Sequence, residues 1–108
     1  MPHYAFQGAY TAETWARLTK NPEDREAAIR AVCEKNGGKL VGLWFMFGSD
    51  DFLAVAELPN EKIAGAMGMA VAASGGYHNF RTTPLVSAAD AMAMMRQANQ
   101  LGFRPAGS

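Results

Sequence analysis

Residues Lys39 to Leu58 read KLVGLWFMFGSDDFLAVAEL. Two apolar runs of strand length flank Gly48-Ser49-Asp50-Asp51, a break made of turn-forming residues, so the stretch predicts a β-hairpin. With the turn at Gly48 to Asp51, Phe47 stands opposite Phe52, and residues directly opposite share a face of the sheet. One face then carries Val41, Leu43, Phe45, Phe47, Phe52, Ala54, Ala56 and Leu58. The other carries Leu40, Gly42, Trp44, Met46, Leu53, Val55 and Glu57. A half-buried strand alternates apolar and polar residues, but this pair is apolar almost throughout, so both faces need cover. The first face has no polar residue, and its small Ala54 and Ala56 let helices approach, so it is expected to form the core. The second has Glu57 as its only charge. It is expected to be covered either by the chain's own last helix or by a second subunit, because several large apolar side chains left on a flat sheet make an association surface. Trp44, Met46, Leu53 and Val55 are the candidate interface residues.

The chain has 108 residues, of which 49% are hydrophobic, enough for one domain with a real core. Ten basic residues balance ten acidic ones. Without a basic block, neither nucleic acid nor a membrane surface is expected as a partner. The longest apolar run is far too short to span a bilayer, and the N-terminus lacks the basic-then-apolar pattern of a secretion signal. Cys33 is the one cysteine, which excludes an internal disulfide and a cysteine-based metal site. The default expectation is a cytoplasmic protein, and no cofactor or metal is expected.

Outside the hairpin, His3 to Tyr10 reads as a strand with Tyr4, Phe6 and Tyr10 on one side and His3 and Gln7 on the other. Thr11 to Lys20 predicts a short helix anchored by Trp15 and Leu18. Asn21-Pro22-Glu23-Asp24 is a helix start, with an N-cap residue, proline in the first turn and acids near the positive end of the dipole. Ala28, Ile29, Val32 and Cys33 follow at helical spacing until Gly37-Gly38 stops the helix. Pro59-Asn60 opens another helix with Ile63, Met67, Ala70 and Val71 as its inner stripe, and Ser74-Gly75-Gly76 ends it. Tyr77 to Val86 reads as a strand at an edge, given Pro84. Ser87 and Asp90 resemble a capping box ahead of a last helix striped by Ala91, Met94, Met95, Ala98 and Leu101. The predicted organisation is one domain over residues 1–108, with a core at 3–86, a C-terminal helix at 87–101 and a flexible tail at 102–108. The order of elements predicts an α+β, ferredoxin-like βαββαβ fold, with a four-stranded antiparallel sheet, two main helices on one face and an added C-terminal helix.

The hairpin with its Gly48…Asp51 turn lies between Gly37-Gly38-Lys39-Leu40 and Glu57-Leu58-Pro59. Asn79-Phe80-Arg81-Thr82 follows, with Leu85 behind it, and Lys20, Pro22 and Arg25 precede the first long helix. In this order and spacing the chain resembles the GYD domain family, over about Tyr4 to Val86. The family takes its name from a Gly-x-Tyr-Asp turn. Gly48 and Asp51 match it, while Asp50 stands where the family has tyrosine. The resemblance implies a subunit of the dimeric α+β barrel type. That superfamily includes cofactor-independent monooxygenases, haem-degrading enzymes, isomerases and proteins without a known reaction, so fold alone supplies no activity.

Candidate chemistry is sparse. His3 and His78 match no local ligand motif, and His78 shares strand parity with Phe80, which is expected to face the helices. Cys33 lies on an apolar helix stripe and reads as a small buried residue. Asp51 is expected to cap backbone amides of the turn. The methionines Met67, Met69, Met92, Met94 and Met95 read as adaptable packing. Asn79, Arg81 and Thr83 alternate along the last strand and are expected on the open face, where Arg81 pairs with Glu57 or holds a ligand carboxylate through a fork of hydrogen bonds. Gln7, Trp44, Met46 and Arg81 are the candidate ligand-binding residues, lining a cleft over the open sheet face between subunits. The expected function is a small homodimeric, non-catalytic module that binds a small molecule or mediates an interaction. The alternatives are a cofactor-independent enzyme of the monooxygenase or isomerase type and a purely structural association domain.

Overall fold

The computed structural model describes all 108 residues. Strand β1 (His3–Tyr10) is followed by α1 (Ala12–Lys20), α2 (Arg25–Lys35), β2 (Lys39–Phe45), β3 (Phe52–Glu57), α3 (Glu61–Ala73), β4 (Tyr77–Leu85) and α4 (Ala88–Ala98). The sheet order is β2-β3-β1-β4, and every neighbouring pair is antiparallel. This is the ferredoxin-like arrangement that the element order predicts. Each helix starts at a side-chain cap: Thr11, Asp24, Asn60 and Ser87 each accept a hydrogen bond from the backbone N–H three residues on. For α2 the cap is Asp24, not Asn21 at the front of the expected start signal.

The helix-covered face is built from cross-strand rows. Leu40, Ala56, Tyr4 and Pro84 form one row, and Leu43, Ala54, Phe6 and Thr82 form the next. Tyr4, Phe6, Cys33, Leu40, Ala54, Ala56, Leu58 and Ala64 make the buried centre of the core. Small Ala54 and Ala56 sit under the helices as expected. Gly68 of α3 shows why that helix lies so close to β4: a Cβ there would stand 2.7 Å from Thr82 Oγ1.

Two irregularities change the faces read from the sequence. In β2 the register shifts between Leu40 and Gly42, which leaves Val41 half-exposed and puts Leu40 on the core face opposite Ala56. The expected positions of Leu40 and Val41 are therefore exchanged by a β-bulge. Phe45, not Phe47, stands opposite Phe52, so residues 46–51 form the connection and Phe47 is fully exposed there. In β4 the second shift accompanies Asn79, the one non-glycine residue with positive φ, at 55°. It brings both Tyr77 and Phe80 to the aromatic cluster on the helix side, with Tyr77 opposite Tyr10. His78 pairs with Ala9 and is exposed, so it does not share the side of Phe80. Gly8 faces this bulge, and a Cβ on it would lie 3.0 Å from the Phe80 Cα.

Helix α2 is pinned over edge strand β2. Arg30 Nη1 donates to the Leu40 carbonyl at 3.0 Å, and Glu26 Oε2 accepts from the Leu43 N–H at 3.3 Å. These bonds occupy backbone groups that an edge strand would otherwise present to another chain. The opposite face of the sheet is bare of helices. Helix α4 does not cover it, which removes the first of the two covers expected for Trp44 and its neighbours. Met92, Met94 and Met95 of α4 are 52%, 56% and 64% exposed. The chain is long for its size: its radius of gyration is 17.3 Å and its longest extent 57 Å, against about 13 Å for the radius of a compact domain of this length. No helix is long and apolar enough to cross a membrane.

Candidate functional site

Because α2 packs over β2 and α3 over β4, a cleft stays open between the two helices above the sheet. Its volume is about 480 Å³. The floor is Phe6, Leu43, Phe52 and Phe80 from the sheet, while Ile29 and Val32 of α2 face Ile63, Met67 and Val71 of α3 across it. Those α3 residues are the inner stripe read from the sequence. Their periodicity shows that the stripe faces inward, but not that it stops short of α2.

One end of the cleft is polar. There it adjoins a second cavity, of about 410 Å³, with which it shares Tyr10, Arg25, Ser74 and Tyr77. Thr14, Arg17, Asn21 and Glu23 complete this outer chamber. Arg25, in the first turn of α2, lies between the two. Its guanidinium donates to the Tyr77 hydroxyl at 3.3 Å and to Glu23 Oε1 at 3.3 Å, and its side chain is 22% exposed. Burial works against the charge on Arg25, but the neighbouring Tyr77, Tyr10 and Glu23 outweigh it, so its pKa rises. The Tyr10 phenol is also pushed up, first by burial and then by Tyr77, with Arg25 opposing, so it stays protonated as a donor. The Tyr10 and Tyr77 rings lie 5.2 Å apart between centroids.

Asp51 fixes this end of the sheet. Its Oδ2 accepts from the Tyr10 N–H at 2.9 Å and from the Trp15 indole N–H at 3.1 Å. Its own N–H donates to the Gly8 carbonyl, and its carbonyl accepts from the Met46 N–H, both at 2.8 Å. Asp51 therefore caps amides as expected, but it reaches across to β1 and α1 as well as closing the hairpin. The Trp15 and Tyr10 rings meet edge to face at 5.1 Å, which continues the aromatic wall towards the outer chamber.

The residues singled out in the sequence lie on the other side of the sheet. Trp44 stands opposite Leu53, Leu53 opposite Gln7, and Gln7 opposite Arg81, so one row crosses all four strands of the open face. Met46 lies past the end of β2, in the connection. The next row holds Gly42, Val55, Ala5 and Thr83. The Trp44 ring folds back over Gly42, where an added Cβ would meet it at 2.7 Å. None of these residues lines the cleft or the outer chamber. Arg81 does hold a carboxylate in a fork, but the carboxylate belongs to the chain. Its Nη2 donates to Asp50 Oδ2 at 2.6 Å and its Nη1 to Asp50 Oδ1 at 3.3 Å. The expected partner Glu57 instead stands opposite His3 and Lys39, away from Arg81. Asp50, where the resembled family has tyrosine, thus joins the hairpin connection to β4.

In the sequence Arg25 stands out only through the family resemblance. A signal was present: a cation in the first turn of a helix opposes the dipole, which makes Arg25 an unusual choice unless its charge is used. Cys33 is fully buried, and burial raises its thiol pKa, so it is part of the core and not of the site.

No curated protein and no solved structure matches the chain. The GYD domain pattern does, over residues 4–95, so the likeness runs beyond Val86 into α4. The chain belongs to the GYD domain family.

Proposed function

We propose that this chain is a non-catalytic binding module that takes a small, largely apolar molecule into the cleft between α2 and α3. The cleft itself is the observation that supports this reading. An open cleft of about 480 Å³ walled by aromatic and aliphatic side chains leaves apolar surface in contact with water that closing α2 onto α3 would bury. Its size and lining, with a few polar groups at one end, are those of a small-molecule site. Ala70 lines the cleft one helical turn before Ser74, so in Ala70→Trp the larger side chain takes up room where the guest would lie. In a thermal-shift screen of metabolites, compounds that raise the melting temperature of the native chain leave that of Ala70→Trp unchanged. A screen in which no compound acts, or in which the same compounds stabilise both proteins equally, contradicts the reading.

A second reading concerns assembly, and it is favoured by the extended shape. An isolated helix shorter than about 12–15 residues is marginal in water. Helix α4 has 11 residues, lies against no other part of the chain to any extent and exposes three methionines. The open sheet face is apolar on its β2 and β3 side, where Trp44 is 50% exposed and Leu53 and Val55 are half-buried. A homodimer in which two copies cover each other's open face and α4 packs on the partner would bury both surfaces. We assign the row of Trp44, Leu53, Gln7 and Arg81 to this contact. A ligand carboxylate there would first have to displace Asp50 from Arg81. Light scattering on the native chain is expected to give a dimer, and Trp44→Glu or removal of residues 87–108 a monomer. A native monomer, or an unchanged dimer in both variants, contradicts it.

A further inference from the structure

We propose that the cleft selects amphipathic organic anions, with the apolar body lying between α2 and α3 and the anionic head held at the Arg25–Tyr77–Tyr10 end. The inference rests on the cleft being a ligand site and adds the class of ligand. It is carried by what stands where the two chambers join.

The first point is charge. Around the shared end and the outer chamber stand Arg17, Arg25 and Glu23. Glu23 pairs with Arg25, and the Asp51 carboxylate behind Tyr10 is taken up by the Tyr10 N–H and the Trp15 indole N–H, which leaves Arg17 as the guanidinium without a carboxylate partner. Arg17 donates to the Thr14 hydroxyl at 3.3 Å and takes part in no salt bridge.

The second point is donor capacity. A guanidinium offers about five N–H donors. Arg25 commits one to Tyr77 and one to Glu23. The Tyr77 hydroxyl accepts from Arg25, so its own hydrogen is free to be given to something else. The Tyr10 phenol lies beside it and is kept protonated. Phenolic and guanidinium donors thus converge where an apolar cleft ends, and the strong acceptor that suits them is an anionic oxygen. Glu23 holds this place from outside, through a contact of 3.3 Å with a carboxylate that is 56% exposed. An ion pair so exposed yields readily to a competing anion. Arg25 is better screened from water than Glu23, so a carboxylate arriving from the cleft side meets it with less dielectric loss.

The third point is shape. The cleft is continuous with the chamber through four shared residues, so one molecule can occupy both. Its walls are apolar from Phe80 to Val32, with Asn36 the only polar side chain remote from the joined end. A guest charged at both ends would leave one charge unpaired, and an uncharged one would leave Arg25 with Glu23 alone.

The test uses the native 108-residue chain and the fluorescent aromatic sulfonate 1-anilinonaphthalene-8-sulfonate as probe. Decanoate and decan-1-ol are titrated as competitors at low ionic strength, against the native chain, Arg25→Gln, Tyr77→Phe and Ala70→Trp. The native chain is expected to prefer decanoate. In Arg25→Gln the preference for decanoate over decanol falls by about tenfold or more, the loss of a charged hydrogen bond. Tyr77→Phe lowers it less, and its fold is independent of whether Arg25→Gln remains folded. Ala70→Trp abolishes the part of probe binding that either competitor displaces. A preference unchanged in both Arg25→Gln and Tyr77→Phe overturns the anion inference, and if Ala70→Trp still removes binding the cleft stands as a site for neutral molecules. Displaceable binding that survives Ala70→Trp overturns the cleft reading together with the inference.

Discussion

Removing the Asp51 carboxylate tests how this end of the fold is held. In Asp51→Ala the backbone bonds to Gly8 and Met46 can persist, because they use the N–H and carbonyl of residue 51. The substitution therefore isolates the side chain. It orphans the Tyr10 N–H, which belongs to a residue 5% exposed, so water does not readily replace the lost partner. A buried donor left unsatisfied costs about 1–3 kcal/mol. The Trp15 indole N–H is more accessible and regains water, so its loss adds roughly 0.5 kcal/mol. The total expected is about 1.5–3.5 kcal/mol, which for a domain of this size lowers the melting temperature by about 7–15 °C. Asp51→Asn keeps an acceptor oxygen and loses the charge, so it should cost about half as much. Urea unfolding followed by circular dichroism gives the stability. The proton spectrum reports on the site directly: the Trp15 indole N–H resonance moves upfield in Asp51→Ala and the Trp44 resonance stays in place. A stability loss under about 0.5 kcal/mol with an unmoved Trp15 resonance would refute the argument, because the buried amide would then have found another partner.

Other outcomes follow from the same structure. Asp50 has its pKa lowered, first by the hydrogen bond from Arg81, so the folded state binds its proton less readily than the unfolded chain. The contribution of this pair to stability is present above the ordinary aspartate pKa of about 3.9 and is lost as pH falls through the lower folded value. Asp50→Asn should therefore lower stability at pH 8, where the pair is intact, and flatten the profile below about pH 4, where the native chain loses the pair. An identical acid limb in both proteins counts against the fork as drawn. Cys33 is fully exposed to reagent only after unfolding, since it is buried and its thiol pKa is raised by that burial. Its reaction with a disulfide reagent at pH 8 should follow the opening rate of the domain and speed up in urea. Immediate reaction in the native state would contradict its place in the core. Gly68→Leu should lower stability by several kcal/mol, through a clash with Thr82 and Phe80, whereas Gly65→Ala, which meets nothing, should raise it by about 0.5–1 kcal/mol. Equal effects at the two glycines would mean that α3 does not ride on β4 as described.

Much of the fold is legible in the sequence because its signals are local. The Gly48 to Asp51 break, the caps at Thr11, Asn60 and Ser87 and the glycine pair at Gly37-Gly38 each act on their own neighbours. The order of elements then leaves few topologies. What is not legible depends on one residue inserted in a strand. Val41 and Asn79 each shift a register, and a shift by one turns the rest of the strand over. That is why Leu40 and His78 fall on the faces opposite to those their parity indicates. The connection 46–51 is longer than its turn residues suggest, because Asp51 is drawn towards Tyr10 and Trp15, a pull that lies 36 to 41 residues away in the chain. The cleft is hidden in the sequence for a related reason. A helical stripe states which side faces the sheet, while the gap between α2 and α3 is set by where each helix meets its own strand. The open face drew the sequence reading because Trp44 and Arg81 stand out in composition. Arg81 is engaged by Asp50 there, and the cleft between α2 and α3 is lined by residues that look like ordinary core in the sequence.

The proposed ligand site lies on the helix side of the sheet, and methyl-resolved NMR of the native chain during titration with decanoate shows on which side a guest binds. The methyl groups of Ile29, Ile63, Met67 and Val71 should shift and show intermolecular contacts with the ligand chain, while those of Leu53 and Val55 on the opposite face stay unchanged. Shifts confined to Leu53 and Val55, with the four cleft residues silent, would contradict it.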